Sequence, residues 1–499
     1  MLYTLQELIR RKPSKTLNIR HKTAVVSAII LFLYHSSFAQ RVFTLRECVE
    51  TAWQNNIEIR QTALNVDAAR SDLQQSFANR IPNVNASGSH QYNYGRSINP
   101  FDNAIVENKL VQSNSFGLAV GLNLYNGFQN NYTIERNKLN LMARGLDLEE
   151  NKNNLALNTI DAFLNLTLQK ETLKAAKLQL ESTKSQLENT SKLVKSGALP
   201  LVNELELQGQ LATEELNIVN IENALAQAKL NLLQLMQLPA NTDFDIQPPD
   251  IDQAMLVLPS QTPQSIFETA LSSQPQIRAG ETRIIAADKN VQIAKSSFSP
   301  NINLNGGIFT NYSNIAQKVT PGKPLATPIF TPTPLVVNQD PTQVVYQVTA
   351  STPPEISNFK YFEQLNNNLR RGLTLQMNIP IFNHLQVRNA VTNAEIGKKS
   401  AQLQLEATKN RLRQVIEQAF ISAKASEKRY QSLERQIKAL SETFRITELR
   451  YEQGLVNAND YLIAKNNLNR AENEILRTKY DLILRIKVLD FYLGKPLEL

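Results

Sequence analysis

The chain is written twice. Shifted by 218 residues, TAWQNNIEIR (Thr51–Arg60) falls on TALSSQPQIR (Thr269–Arg278), and IPNVNASG (Ile81–Gly88) falls on SPNINLNG (Ser299–Gly306). Shifted by 257, Gly197 meets Gly454, Leu205 meets Leu462 and Pro239 meets Pro496. The two registers differ by 39 residues, so the second copy carries an insertion between its matching ends. A repeat of this size commits the fold to one plan executed twice. We read residues 40–240 as the first structural repeat, 241–262 as a linker and 263–499 as the second.

Within each copy the hydrophobic period changes in the same order. Residues 44–79 and 262–298 read as helix, each ending before a proline (Pro82, Pro300) that a helix cannot continue through. The period then drops to two. Val84, Ala86, Gly88, His90, Tyr92 and Tyr94 alternate with Asn83, Asn85, Ser87, Ser89, Gln91 and Asn93; Ile302, Leu304, Gly306 and Ile308 alternate with Asn301, Asn303 and Asn305. Phe116, Leu118, Val120, Leu122 and Leu124 form a third such segment, and Leu373, Leu375, Met377 and Ile379 a fourth. One apolar face and one amide-and-hydroxyl face suits a strand with lipid on one side and water on the other, although a half-buried soluble sheet has the same alternation. Tyr92, Tyr94, Tyr125, Phe309, Tyr312 and Phe382 fall near strand ends, where interfacial aromatics belong. Residues 96–114 read as a modest polar connection. Residues 314–367 hold eight of the 21 prolines and read as a long external loop without a core.

No proline interrupts 128–195 or 385–452, and return helices follow at 200–238 and 457–493. The return helices carry a seven-residue stripe: Leu211, Ile218, Leu225, Leu232, and then Leu468, Ile475, Leu482, Leu489. Tyr430, Ile437, Phe444 and Tyr451 repeat at the same interval, as in helices packed side by side. Gly197 and Gly454 sit at the turns of these two hairpins, where the C′ position favours glycine. Asn203 and Asp460 fall six residues later, in the first turn of each return helix.

A basic stretch followed by AVVSAIILFLY and SSFAQ marks residues 1–39 as a signal peptide cleaved before Gln40. That segment takes six of the 53 basic residues and one of the 45 acidic, leaving a net charge of +3 and no nucleic-acid footprint. Cys48 stands alone and reads as a buried structural thiol. No later apolar run approaches the roughly 18 residues of a spanning helix, so a membrane crossing requires a closed β-barrel. Four strands cannot close one: two chains supply eight and three supply twelve, with a wider lumen.

This duplicated order, and the stretch RYEQGLVNANDYLIAKNNLNRAENEILRTKYDLILRIKVLDFYLG, resembles the TolC-type outer-membrane efflux and secretion channels, the outer membrane factors. The resemblance implies an α+β membrane protein in which a duplicated β-hairpin and long coiled-coil helical hairpins build a homotrimer. Twelve strands would form its β-barrel, continued by a periplasmic α-helical tunnel. It further implies a passive exit duct in the outer-membrane lipid of a Gram-negative cell, serving a tripartite efflux pump or type I secretion system. Its partners would be a periplasmic adaptor (membrane fusion) protein and an inner-membrane RND or ABC transporter. Gly197, Ala198, Gly454 and Leu455 fall at the family's adaptor-docking tips. Asp460, with Tyr451, Val456 and Ile463, falls at its periplasmic entrance. A second aspartate and a basic residue found there in some members are replaced by Ile463 and Val456, which leaves closure open between a polar network and hydrophobic contact of Leu455, Val456 or Ile463.

Two other classes compete. An enzyme needs a site, and the mature chain retains only His90 and His384, with no nucleophile triad, metal spacing, phosphate loop or cofactor motif. A periplasmic adaptor or structural coiled-coil protein without its own pore would share the helical hairpins, but usually one per chain and without two amphipathic strand pairs.

Overall fold

The computed structural model describes residues 41–98, 105–249 and 256–495; the expected signal peptide and Pro496 lie outside the described residues. Strand β1 (Arg41–Phe43) leads into α1 (Leu45–Asn55) and α2 (Ile57–Ala78). A hairpin of β2 (Asn83–Ile98) and β3 (Ile105–Asn126) follows, then α3 (Gln129–Lys195) and α4 (Leu201–Leu235). Strand β4 (Phe244–Ile246) precedes α5 (Pro263–Ser273), α6 (Pro275–Ser296) and β5 (Asn301–Ser313). The inserted segment holds β6 (Gln317–Thr320), β7 (Pro324–Val336), β8 (Val344–Ser351), β9 (Glu355–Asn358) and α7 (Tyr361–Asn367). Strand β10 (Arg370–Asn378), α8 (Gln386–Glu452) and α9 (Ala458–Tyr492) complete the chain. The helices preceding each strand pair are 11 and 22 residues long in both copies, and those following are 67 and 35.

Each leading helical run is broken once, where the sequence reads as continuous. Asn56 adopts an extended backbone (φ −60°, ψ 125°) and its side chain accepts from the amides of Glu58 and Ile59, restarting the helix as an N-cap. Gln274 does the same job differently: it precedes Pro275, whose ring disfavours the helical conformation for the residue before it.

Four strands pair antiparallel in the order β2-β3-β5-β10. Their registers align Ala86, Leu118, Ile308 and Arg371 in one row, and Leu122, Leu304 and Leu375 in another. Apolar side chains therefore share one face. Asn83, Gly121, Asn305 and Thr374 form a row of the opposite face, where Asn123 donates to Asn301 at 2.7 Å and to Asn303 at 2.9 Å. Phe309 is misplaced by the sequence reading: it pairs with Gly117 and Arg370 on the polar face, not among interfacial aromatics. The connection read at 96–114 is also too long, because β2 and β3 stay paired out to Ile98 and Ile105.

The insertion is not a bare loop. β7 pairs with β8 and β6 with β9, supported by Val, Ile, Thr, Phe and Tyr residues whose β preference the interspersed prolines disguise. Helix α7 closes onto the free end of β5. The Gln364 side chain accepts from the Ser313 amide and donates to the Ser313 carbonyl at 3.0 Å, standing in for a strand partner.

The helices repeat the order of the strands. α2 packs on α3, α3 on α6 and α6 on α8, and each of these four adjoins one strand of the sheet: β2, β3, β5 and β10. Farther from the sheet, α4 returns along α3 and α9 along α8, with α9 also touching α3. Among the described residues no helix is long and apolar enough to cross a membrane. A core built from Phe43, Cys48, Phe163, Leu232, Phe244 and Ile483 lies where β1 pairs in parallel with β4, so the linker read at 241–262 contains a strand. Burial, then the neighbouring Glu47, pushes the Cys48 thiol up to about 12, which makes it a packing residue and not a nucleophile.

Candidate functional site: the helical-hairpin tips

Both hairpins turn through the same motif. Gly197 (φ +77°) and Gly454 (φ +70°) take the left-handed conformation just past the ends of α3 and α8. The amides of Gly197 and Ala198 bond back to the carbonyls of Val194 and Leu193; those of Gly454 and Leu455 bond to Tyr451 and Arg450. These are the paired bonds of the Schellman motif, which satisfies carbonyls the helix end leaves open. The return helices start differently. Asn457 caps α9 by accepting from the Asp460 amide at 2.8 Å, whereas α4 begins behind Pro200 without a side-chain cap.

Behind the turns the hairpins meet. Tyr451 and Tyr461 stack at 4.9 Å, Phe444 tilts against Tyr461 at 5.6 Å, and Leu207 of the first hairpin is buried with them. The hydroxyls of Thr190 and Tyr451 hydrogen bond at 3.2 Å across the two copies. One step farther along, buried Lys465 donates to Ser182 at 3.2 Å and to Thr183 at 3.0 Å. Gln210 donates to Asn466 at 3.2 Å and to buried Glu214 at 2.8 Å, and Gln179 also donates to Glu214. The second Glu214 oxygen, Oε2, has no hydrogen-bond partner.

Burial is the leading electrostatic influence here. It lowers the Lys465 pKa, against the pull of Glu214 and Glu448. It raises the Glu448 carboxyl above its usual value, helped by Glu452 and opposed by Lys465. It also raises the Tyr461 phenol, again with Glu448 as the foremost charge. Lys465 and Glu448 thus share a largely enclosed setting in which burial disfavours the charged form of each and their mutual attraction opposes it.

Of the residues singled out from sequence, Tyr451 lies in this cluster and Val456 packs against it. Leu455 is 63% exposed and Ile463 51%, and Gly197, Ala198, Gly454 and Asp460 are also open to solvent in the single chain. Lys465, Glu214, Thr190 and Tyr461 escaped the sequence reading, as did exposed Leu201, Val202 and Leu205 at the first tip. Lys465 stands four residues beyond Tyr461, itself on the seven-residue stripe; that spacing was the available sign, and in an isolated hairpin it reads as a solvated flank. No group of three or more acidic, histidine or cysteine side chains among the described residues could hold a metal ion. What the tips offer is rigid turns, exposed aliphatic side chains and a polar joint between two hairpins.

Comparison with known proteins follows the same architecture. Residues 48–236 and 266–495 match the model of a family described as outer membrane efflux protein. The cation efflux system protein CusC of Escherichia coli O6:H1 is 24% identical over 276 residues, 55% of this chain and 57% of CusC. The chain thus spans just over half the length of the curated relatives it matches. Crystal structures of two outer-membrane proteins share the fold over most of their length. VceC of Vibrio cholerae has a TM-score of 0.70 at 16% identity, covering 91% of this chain and 97% of VceC. The CmeC channel of Campylobacter jejuni has a TM-score of 0.69 at 17% identity, covering 90% and 85%.

Proposed function

We propose, from the premise that this chain belongs to the outer membrane efflux protein family, that three copies close a twelve-stranded barrel and serve as the exit duct of a tripartite efflux or secretion system. The observation that carries the reading is the sheet itself. It is apolar on one face and amide-rich on the other, and its two edge strands, β2 and β10, each have one edge without a strand partner among the described residues. Pairing β10 of one copy with β2 of the next supplies the missing ladder, and lipid covers the apolar face. The helices, ordered as the strands are, continue the wall as a tunnel on the periplasmic side. Such a duct is passive; an inner-membrane RND or ABC transporter supplies the energy through a periplasmic adaptor. Native mass measurement in mild detergent is expected to give three mature chains per particle. A stable monomer with its full β-content overturns the reading.

The hairpin turns are the proposed adaptor-docking tips, and Asp460, Val456 and Ile463 line the proposed entrance with buried Tyr451 packed behind them. Gly454→Val is expected to weaken adaptor binding by about tenfold while leaving the trimer intact. A left-handed conformation costs a non-glycine residue roughly 1–2 kcal/mol, which is felt only at the turn. Nothing lies within 4 Å of the added Cβ, so any effect comes from backbone strain and not from collision. Pull-down of the adaptor cross-linked to each variant measures it; undiminished capture removes Gly454 from the docking surface.

A further inference from the structure

We propose that Arg370 forms a cationic ring at the outer mouth of the barrel and retards multivalent anions there, an inference that rests on the exit-duct reading above. The outermost row in which all four strands are paired is Ser87, Gly117, Phe309 and Arg370. All four belong to the polar face, the one that lines the bore when the barrel closes. From this row down to the helices, that face carries Asn, Gln, Ser, Thr, Gly and Ala, and Arg370 is its one charged side chain among the described residues. Over the same rows no acidic residue among the described residues shares the face to neutralise it. Three copies place three guanidiniums at the top of an amide-lined stretch that is uncharged from this row down; the next charge on that face, Lys109, lies farther out along β3, opposite Gly95. Confined charge of one sign attracts and holds counter-ions far more strongly than a scattered surface charge does.

Phe309 sharpens the ring. It is the one aromatic side chain of the polar face in this part of the sheet, and its ring lies flat over two glycines. A Cβ on Gly117 would come within 2.8 Å of Phe309 Cδ1, and one on Gly307 would come closer still to the same ring. The glycines hold the ring down against the wall, beside its cross-strand neighbour Arg370. With the ring drawn over the glycines toward β3, the exposed Arg370 on the other side of β5 is left open to solute and water. Arg371, one residue along, falls in the apolar row with Ile308 and Leu118, and its position on the outer wall supplies an internal control.

The test uses the reconstituted wild-type trimer in planar bilayers, with inositol hexakisphosphate added on the barrel side. Current through the wild type is expected to be blocked in roughly 0.1 M salt and released in roughly 1 M, where the screening length falls to about 3 Å. Arg370→Gln should weaken the block by about tenfold or more, the scale of losing charged hydrogen bonds. Arg371→Gln should leave it unchanged. Equal block in wild type and Arg370→Gln overturns the ring while leaving the duct intact, as does an Arg371→Gln effect matching that of Arg370→Gln. A wild-type trimer that carries no current overturns the duct and the ring together.

Discussion

Leu375→Arg is expected to remove the protein from the membrane, while Thr374→Arg, one residue earlier, leaves it inserted. The two positions differ only in face. Leu375 is 64% exposed in the single chain and sits in the apolar row with Leu304 and Leu122, whereas Thr374 pairs with Asn305 on the amide side. An arginine on the lipid face near mid-membrane costs roughly 2–4 kcal/mol per chain, and the proposed trimer repeats that cost three times. Thr374→Arg meets water in the bore and carries no such penalty. Outer-membrane fractionation, with heat-modifiable migration as the sign of a folded barrel, separates the cases. If Thr374→Arg is the variant lost, the faces have been assigned inside out.

Lys465→Met is the second large effect. Methionine keeps the length and apolar stem of the lysine, while the charge, its place over the Tyr461 ring and its bonds to Ser182 and Thr183 go. Glu214, already lacking a partner for one oxygen, and the partly desolvated Glu448 then lose a nearby cation. Removing one member of a buried charge group typically costs about 3–5 kcal/mol. The loss should appear as local opening, with amide exchange around 182–190 and 451–465 faster by about a hundredfold. Adding Glu214→Gln should restore much of the protection, because both charges are then absent. Unchanged exchange in Lys465→Met would mean that hydrophobic packing of Tyr451, Tyr461 and Leu207 alone holds the hairpins together.

The sequence announces those parts whose physics is local. A glycine that must take positive φ announces a helix turn, so Gly197 and Gly454 could be placed on their turns before any coordinate. Alternation announces a strand, and the four apolar rows were legible from Val84, Phe116, Ile302 and Leu373 onward. What escaped depends on which segments meet. Asn56 breaks a helix that periodicity alone joins, because its side chain caps better than it propagates. Strands β7 and β8 hid behind Pro324, Pro328, Pro332 and Pro334, which an exposed two-stranded ladder tolerates and a buried sheet would not. Phe309 breaks the alternation for a reason found partly on the neighbouring strand, in the space that Gly117 and Gly307 leave open. Lys465 is the extreme case: both of its hydrogen-bond partners belong to a hairpin more than 250 residues earlier in the chain.

In the proposed trimer the one-to-one succession of strands and helices has a geometric consequence. Twelve strands spaced about 4.8 Å apart and tilted about 40° enclose a circle about 24 Å across. Twelve helices at about 10 Å spacing need a circle about 38 Å across. The wall must therefore flare at every junction, by about 7 Å in radius, within a few residues of chain. Where strand passes to long helix, the flare coincides with consecutive left-handed residues, Gly127 and Phe128 in one copy and His384 and Leu385 in the other. Where short helix passes to strand, Pro82 and Pro300 stand at the step. The shoulder thus alternates stiff and contorted hinges around its circumference, and just beneath the membrane it opens a vestibule wider than the outlet above it.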